Sequence, residues 1–228
     1  MRLALVQDLL DELGYDSNLV NITKAVGAAL DTATARLASV LRTDFRQVSI
    51  VDMFYVNEMT RLSQGAGFYT KVCLSHGFLT ASPALVALAS SSMPDIASGN
   101  TVNVTSQMLL ALEKGVALDA YTDYTQKWLR FTYTKGFPVS GGDALTYDTT
   151  VVPNWLQIAA KLHAKMSLVS NPSLEDAKIS MDIKAIQREF TDVIHGHLRY
   201  APDCITPVLS SVGDSMVQPT ATSALAVP

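Results

Sequence analysis

The 228-residue sequence is short of charge, of cysteine and of long apolar runs, and each shortage excludes a class of protein. Charged residues make up 17% against 48% hydrophobic, too few for a chain that stays unfolded and few for a solitary subunit with an all-solvated surface. Only two cysteines occur, Cys73 and Cys204, far apart and without ligand spacing, so neither a disulfide framework nor a metal motif is expected. They read as two reduced thiols. No apolar run approaches the roughly 20 residues that span a bilayer, and the opening Met1–Gly14 is too acidic for a secretory signal. The expectation is a soluble chain, in which the Asn-x-Thr triplets at Asn21 and Asn103 carry no glycosylation meaning. A net charge of −4 leaves no basic footprint for nucleic-acid phosphates.

What is present is periodic. Leu3, Val6, Leu9, Leu10 and Leu13 recur at helical spacing and stop at Gly14. Asp16 or Ser17 is placed to cap a second helix, with Ile22, Val26, Leu30, Ala33 and Leu37 on one face and six further or shared alanines that permit close packing. From Val48 to Val56 the residues turn β-branched and aromatic. Further strands are expected over Tyr69–Leu74, Leu85–Ala89, Thr101–Thr105, Gly115–Leu118 and Leu129–Thr134. Helical spacing returns after Pro153 and again over about Leu174–Leu198. The expected fold is therefore α+β: a small bundle of about four helices, with an antiparallel β subdomain inserted and an extended C-terminal tail. The divisions fall at 1–45, 46–137, 138–199 and 200–228.

No constellation announces chemistry. His195 and His197 stand two apart, which on a helix sends them different ways, and no acid or cysteine cluster accompanies them. Ser75-His76 lacks a Gly-x-Ser-x-Gly elbow and an evident third member. His163 lies close to an apolar helix face and reads as packed. Asp44, Asp52, Asp119, Asp123 and Asp143 pair only on paper, while Gly65, Gly67, Gly141 and Gly142 read as turns rather than phosphate loops. Trp128 and Trp155 read as core or interface residues. The expectation is no enzyme: no catalytic residue, no cofactor and no metal.

Three stretches carry a family resemblance. Ala29–Phe45 running into Val48–Tyr55 resembles the helix-into-strand passage of head–tail adaptor (head-completion) proteins of long-tailed bacteriophages. Trp128–Phe137, followed after a loop by Val152–Ala160, looks like their strand–Gly-Phe–Val-Pro–helix junction. Leu198–Ser210 is similar to their Arg/Pro-containing exit from the last helix. Together these cover well under half of the chain, and its long β-rich middle departs from the compact, nearly all-helical members. The resemblance implies a virion structural protein of the neck, made in the host cytoplasm. It implies a homo-oligomeric, twelve-fold ring that binds the portal protein above and a tail terminator or stopper below. Genome DNA would pass through without specific binding, and no membrane is involved. The alternatives are another virion component (a tail terminator, tail-tube subunit or minor capsid protein) or a hydrolase built around Ser75-His76.

Further expectations follow from the residues. The second helix and the one after Pro153 carry complementary apolar stripes and should pack together, with the final helix beside them. Asp8, Asp11, Glu12 and Asp31 should make a DNA-facing surface neutral or acidic. Beyond Tyr200 no strand or helix pattern is evident. Tyr200, Pro202, Ile205, Pro207, Val208, Leu209, Val212 and Met216 are the candidate partner-binding residues of an arm that orders only on docking to the portal. Removal of residues 203–228 should then leave the fold intact.

Overall fold

The computed structural model describes residues 1–16, 18–57, 60–61, 68–79, 86–91, 101–119, 122–169, 182–197, 204–212 and 215–217. The chain forms two units, Met1–Asp44 with Phe137–Arg199 and Phe45–Gly136 with Tyr200–Pro228. The fold is α+β, with four helices and two antiparallel sheets among the described residues.

The first unit is helical: α1 (Val6–Leu13), α2 (Val20–Val40), α3 (Asn154–Val169) and α4 (Ile183–His197). Small residues set its packing. Ala29, Ala33 and Ala164 are buried among Leu9, Leu10, Val26, Leu30 and Leu168, so α2 lies directly against α3, and α4 packs on α3. This is the contact expected from the two apolar stripes. Glu12 of α1 is ion-paired with Lys161 and, at 2.7 Å, with Lys165 of α3. Gly14 ends α1 in the left-handed region (φ 73°), the conformation its missing Cβ permits. The start of α2 differs from expectation. Leu19 holds the cap position without a side-chain cap, and Asp16 instead accepts the Asn18 N–H at 2.9 Å; Ser17 lies outside the described residues.

The N-terminal residues are sewn into this unit. Arg2 donates its N–H to Leu145 O at 2.8 Å, and its carbonyl accepts the Tyr147 N–H at 2.9 Å. The Arg2 guanidinium pairs with Asp31 at 3.1 Å, crossing α2 where Gly27 leaves room. Val152 is buried just before Pro153, whose carbonyl accepts the N–H groups of Leu156 and Gln157 to open α3.

The second unit holds the strands β1 (Val48–Val56), β2 (Thr60–Arg61), β3 (Phe68–Cys73), β4 (Val86–Ser90), β5 (Val102–Asn103), β6 (Leu109–Ala111), β7 (Val116–Asp119), β8 (Lys127–Lys135), β9 (Leu209–Val212) and β10 (Ser215–Val217). Six of them form one sheet in the order β10-β9-β1-β8-β4-β5, and four form another, β2-β3-β7-β6. The longest pairing, β1 with β8, runs antiparallel from Val48 opposite Lys135 to Val56 opposite Lys127. Period-two alternation turns Leu129, Phe131 and Tyr133 inward, and β1 answers with Ile50, Phe54 and Val56. Val72 and Leu74 from β3 and its exit, with Ala117 from β7 and Ala87 and Ala89 from β4, join this core.

Gly136, at the end of β8, has φ +82°, and a Cβ there would lie 2.2 Å from Arg46 O. Gly136→Ala should therefore cost about 2 kcal/mol or more, from left-handed strain plus a backbone clash, read as a lower urea midpoint at unchanged m-value.

Two sequence expectations need correction here. The cysteines are not separate thiols: Cys73 and Cys204 form a disulfide, with Cα atoms 5.5 Å apart. Cysteines 131 positions apart in sequence meet because the chain returns to the β unit after the last helix. The described part of the C-terminal segment, residues 204–212 and 215–217, is not an unpatterned arm. Its residues Leu209–Val212 are a strand paired with β1, set between β1 and β10. The period-two signal was too short to read, because only four residues pair with β1.

Candidate functional site: a buried carboxylate between two sheets

Asp52 stands in the middle of β1 on the face that buries Ile50 and Phe54, and it is fully buried itself. A lone carboxylate there would be costly, so its partners decide what it does. Its two oxygens each accept two hydrogen bonds. Oδ1 accepts from Ser75 Oγ at 2.7 Å and Ser210 Oγ at 2.5 Å; Oδ2 accepts from the Ser75 N–H at 2.7 Å and Tyr133 Oη at 2.8 Å. The register explains this convergence. Ser210 of β9 lies directly opposite Asp52, and Tyr133 of β8 lies opposite Ile50, one step along the same face. Ser75 arrives from the exit of β3. The carboxylate thus ties both sheets and the C-terminal strand together.

The surrounding hydroxyls are also in contact. Ser75 Oγ lies 3.0 Å from Ser210 Oγ and 3.2 Å from Tyr133 Oη, and the His76 N–H donates to Tyr133 Oη at 3.3 Å. Burial raises the Tyr133 pKa well above its ordinary value, and the adjacent Asp52 charge raises it further, so the phenol stays protonated as a donor. A carboxylate has about four lone-pair sites, and all four of Asp52's are occupied. That is the chemistry of a crosslink, with no acceptor site left for a substrate proton.

A second, smaller network repeats the pairing of acid with phenol. Buried Asp119 of β7 accepts from Tyr124 Oη at 2.8 Å and from the Thr122 N–H at 3.2 Å. Burial and then the Asp119 hydrogen bond raise the Tyr124 pKa.

Two further acids noted in the sequence, Asp123 and Asp143, bond within their own local turns. Asp123 accepts from the Thr125 N–H, and Asp143 accepts from the Leu145 N–H and Thr146 Oγ1. In each case hydrogen bonds hold the carboxyl below its usual range. Asp44 is half-buried beyond α2. Trp128 packs against Tyr55, its cross-strand neighbour, with ring centroids 5.1 Å apart. Trp155 stacks on His197 at 4.1 Å, an α3–α4 contact, while His195 is exposed. Among the described residues no group of three or more His, Cys, Asp or Glu side chains is placed to hold a metal ion. No described helix is long and apolar enough to cross a membrane.

His163 is half-buried in α3 with its ring edge-on to Phe190 of α4 at 5.6 Å, and its buried Nδ1 has no hydrogen-bond partner among the described residues. Burial, and secondarily the Arg36 charge from α2, lower its pKa. A lowered folded-state pKa means the unfolded chain takes up the proton first. Stability from this group is then intact above the ordinary histidine range and is lost as pH falls through it. The melting temperature should drop from pH 7.5 to pH 5.5 more in the wild type than in His163→Gln; equal drops in both would exclude His163 as the cause.

The residues expected to bind a partner are dispersed. Tyr200 and Pro202 lie outside the described residues. Ile205 is half-buried against the β core, with its N–H donated to Lys71 O at 2.9 Å and its carbonyl accepting the Cys73 N–H at 3.0 Å. Pro207 is half-buried and Val208 exposed, the latter donating its N–H to Met53 O at 2.7 Å. Leu209 and Val212 are the first and last residues of β9, and Met216 is in β10. Sequence reasoning missed the Asp52 network. The available signal is an acid in the middle of a largely apolar strand.

Comparison with models of known protein families, with curated proteins and with solved structures yields no match.

Proposed function

We propose that the chain is a structural subunit, a head–tail adaptor that assembles with copies of itself into a ring in the phage neck. In this reading it sits between the portal protein and the tail terminator or stopper and performs no catalysis. The observation that carries the proposal is where polar and apolar groups are spent. Asp52, the buried acid best placed for chemistry, is saturated by structural donors. Large apolar side chains remain uncovered, among them Val102 at 64% and Leu109 at 66% exposure, in the uncharged run Thr101–Leu112. Exposed apolar side chains in an uncharged run favour burial against a neighbouring subunit.

Residues of the family-like stretches also have work in this fold. Gly136 makes the left-handed exit from β8, Phe137 packs on Tyr147 at 6.1 Å, and Val152-Pro153 opens α3. Head-to-tail contacts closed by rotation give a ring from such subunits. Of the acids on α1 and α2, Glu12 and Asp31 are already ion-paired, and the net charge of −4 suits a channel that does not grip DNA.

The deciding experiment is electron microscopy of virions in which this chain carries an antibody-detectable tag, together with mixing of the purified chain and portal rings. A ring density bound to the portal and label at the neck are expected. Label elsewhere in the particle, or a chain that stays monomeric with portal rings present, sinks the proposal. The purified chain should also leave duplex DNA unshifted at physiological salt; tight binding with a steep salt dependence would reclassify it.

A further inference from the structure

The Cys73–Cys204 bond joins the last residue of β3 to the residue where the described C-terminal segment begins. Without the bond, that segment is held by separable contacts. Ile205 exchanges two main-chain hydrogen bonds with Lys71 and Cys73, Val208 donates to Met53, β9 pairs over four residues with β1, and Ser210 reaches Asp52. All of them follow Cys204 within eight residues, so one covalent link at the start of the segment restrains the whole run. Cys73 is buried, at 9% exposure, whereas Cys204 is only partly so.

We propose that this pair is a reversible thiol–disulfide latch on the C-terminal strand. Closed, it fixes β9 as part of the sheet; open, it lets the segment beginning at Cys204 detach from β3 and β1 while the rest of the β unit stays folded. The partner in the exchange is a small-molecule disulfide of the oxidised-glutathione class. The more exposed Cys204 thiolate attacks one sulfur of that disulfide, forming a mixed disulfide and releasing one thiol. Cys73, as thiolate, then displaces the second thiol and forms the intramolecular bond. Two protein thiols are oxidised by two electrons and one external disulfide is reduced to two thiols, with the two protons passing to the thiols released. A reducing compartment therefore holds the latch open and an oxidising one closes it.

The test uses the full-length chain, equilibrated with dithiothreitol or with oxidised glutathione, then read by intact mass after alkylation and by amide hydrogen exchange. Two alkylated thiols are expected in the first condition and none in the second. Exchange at the amides of residues 205–212 should slow by about tenfold or more on oxidation, with the amides of α2 and α3 unchanged. Cys204→Ser should show the faster exchange in both conditions. Thiols that stay fully alkylatable in oxidised glutathione overturn the latch, and so does exchange at 205–212 that is equal in the two conditions. Redox-dependent slowing that persists in Cys204→Ser overturns it as well. Because the wild-type comparison needs no substitution, a poorly folding variant leaves the test intact.

Discussion

A chain cut after residue 203 should lose about 3–5 kcal/mol of stability relative to the full-length protein with its disulfide closed. The loss has several separate sources. Residues Ile50–Met53 of β1 lose their pairing with β9, and Met53 O loses the Val208 N–H. Lys71 and Cys73 lose both hydrogen bonds to Ile205, and the β core loses the Ile205 side chain that packs against it. Asp52 loses the Ser210 hydroxyl, one of its four donors. With β9 and β10 gone, β1 becomes an edge strand, exposing unpaired N–H and C=O groups that invite aggregation. Urea unfolding followed by circular dichroism would measure the loss. A truncated chain that unfolds at the full-length midpoint would show that the segment is appended to the β unit without supporting it.

The same segment shows where a sequence stops being legible. The helices and the long strands were readable because their signals are local and repeated. Alternation over Leu129, Phe131 and Tyr133 spans most of β8, and the apolar face of α2 runs for about five turns. The sequence bounds Val48–Val56 correctly at both ends, since β-branched and aromatic residues hold six of its nine positions. By contrast, β9 has four residues, β6 three, and both take their identity from the strand beside them rather than from their own pattern. A register formed across some 160 residues leaves no trace in either partner alone. The Cys73–Cys204 bond was hidden for the same reason: wide sequence separation suggests independence only until the chain path is known. The candidate site was legible residue by residue but not as a set. Ser75 and His76 draw notice as a hydrolase pair and Asp52 as one of several scattered acids, never as one set. Tyr133 and Ser210, the remaining donors, read only as strand and tail residues.

Replacing Asp52 is the other change with a large expected effect. Asp52→Ala should destabilise the protein by about 3–5 kcal/mol, because it takes the shared acceptor from the Ser75 N–H and from the Ser75, Ser210 and Tyr133 hydroxyls, and leaves a cavity where the carboxylate stood. Asp52→Asn keeps the shape and still fails in part. With the amide oxygen at the Oδ2 position the Ser75 N–H and Tyr133 hydroxyl keep an acceptor, but the NH2 then makes acceptors of the Ser75 and Ser210 hydroxyls, and all four bonds lose the assistance of the carboxylate charge. A loss of about 2–3 kcal/mol is expected, intermediate between wild type and Asp52→Ala. The double change Asp52→Leu with Tyr133→Phe removes an acceptor and one of its buried donors together. It should recover part of the stability lost in Asp52→Leu alone, a coupling that urea unfolding of the four chains would measure. Additive losses would mean that Tyr133 does not depend on the carboxylate. An Asp52→Asn chain of full stability that no longer supported virion assembly would move Asp52 from the fold's crosslink to a site of action.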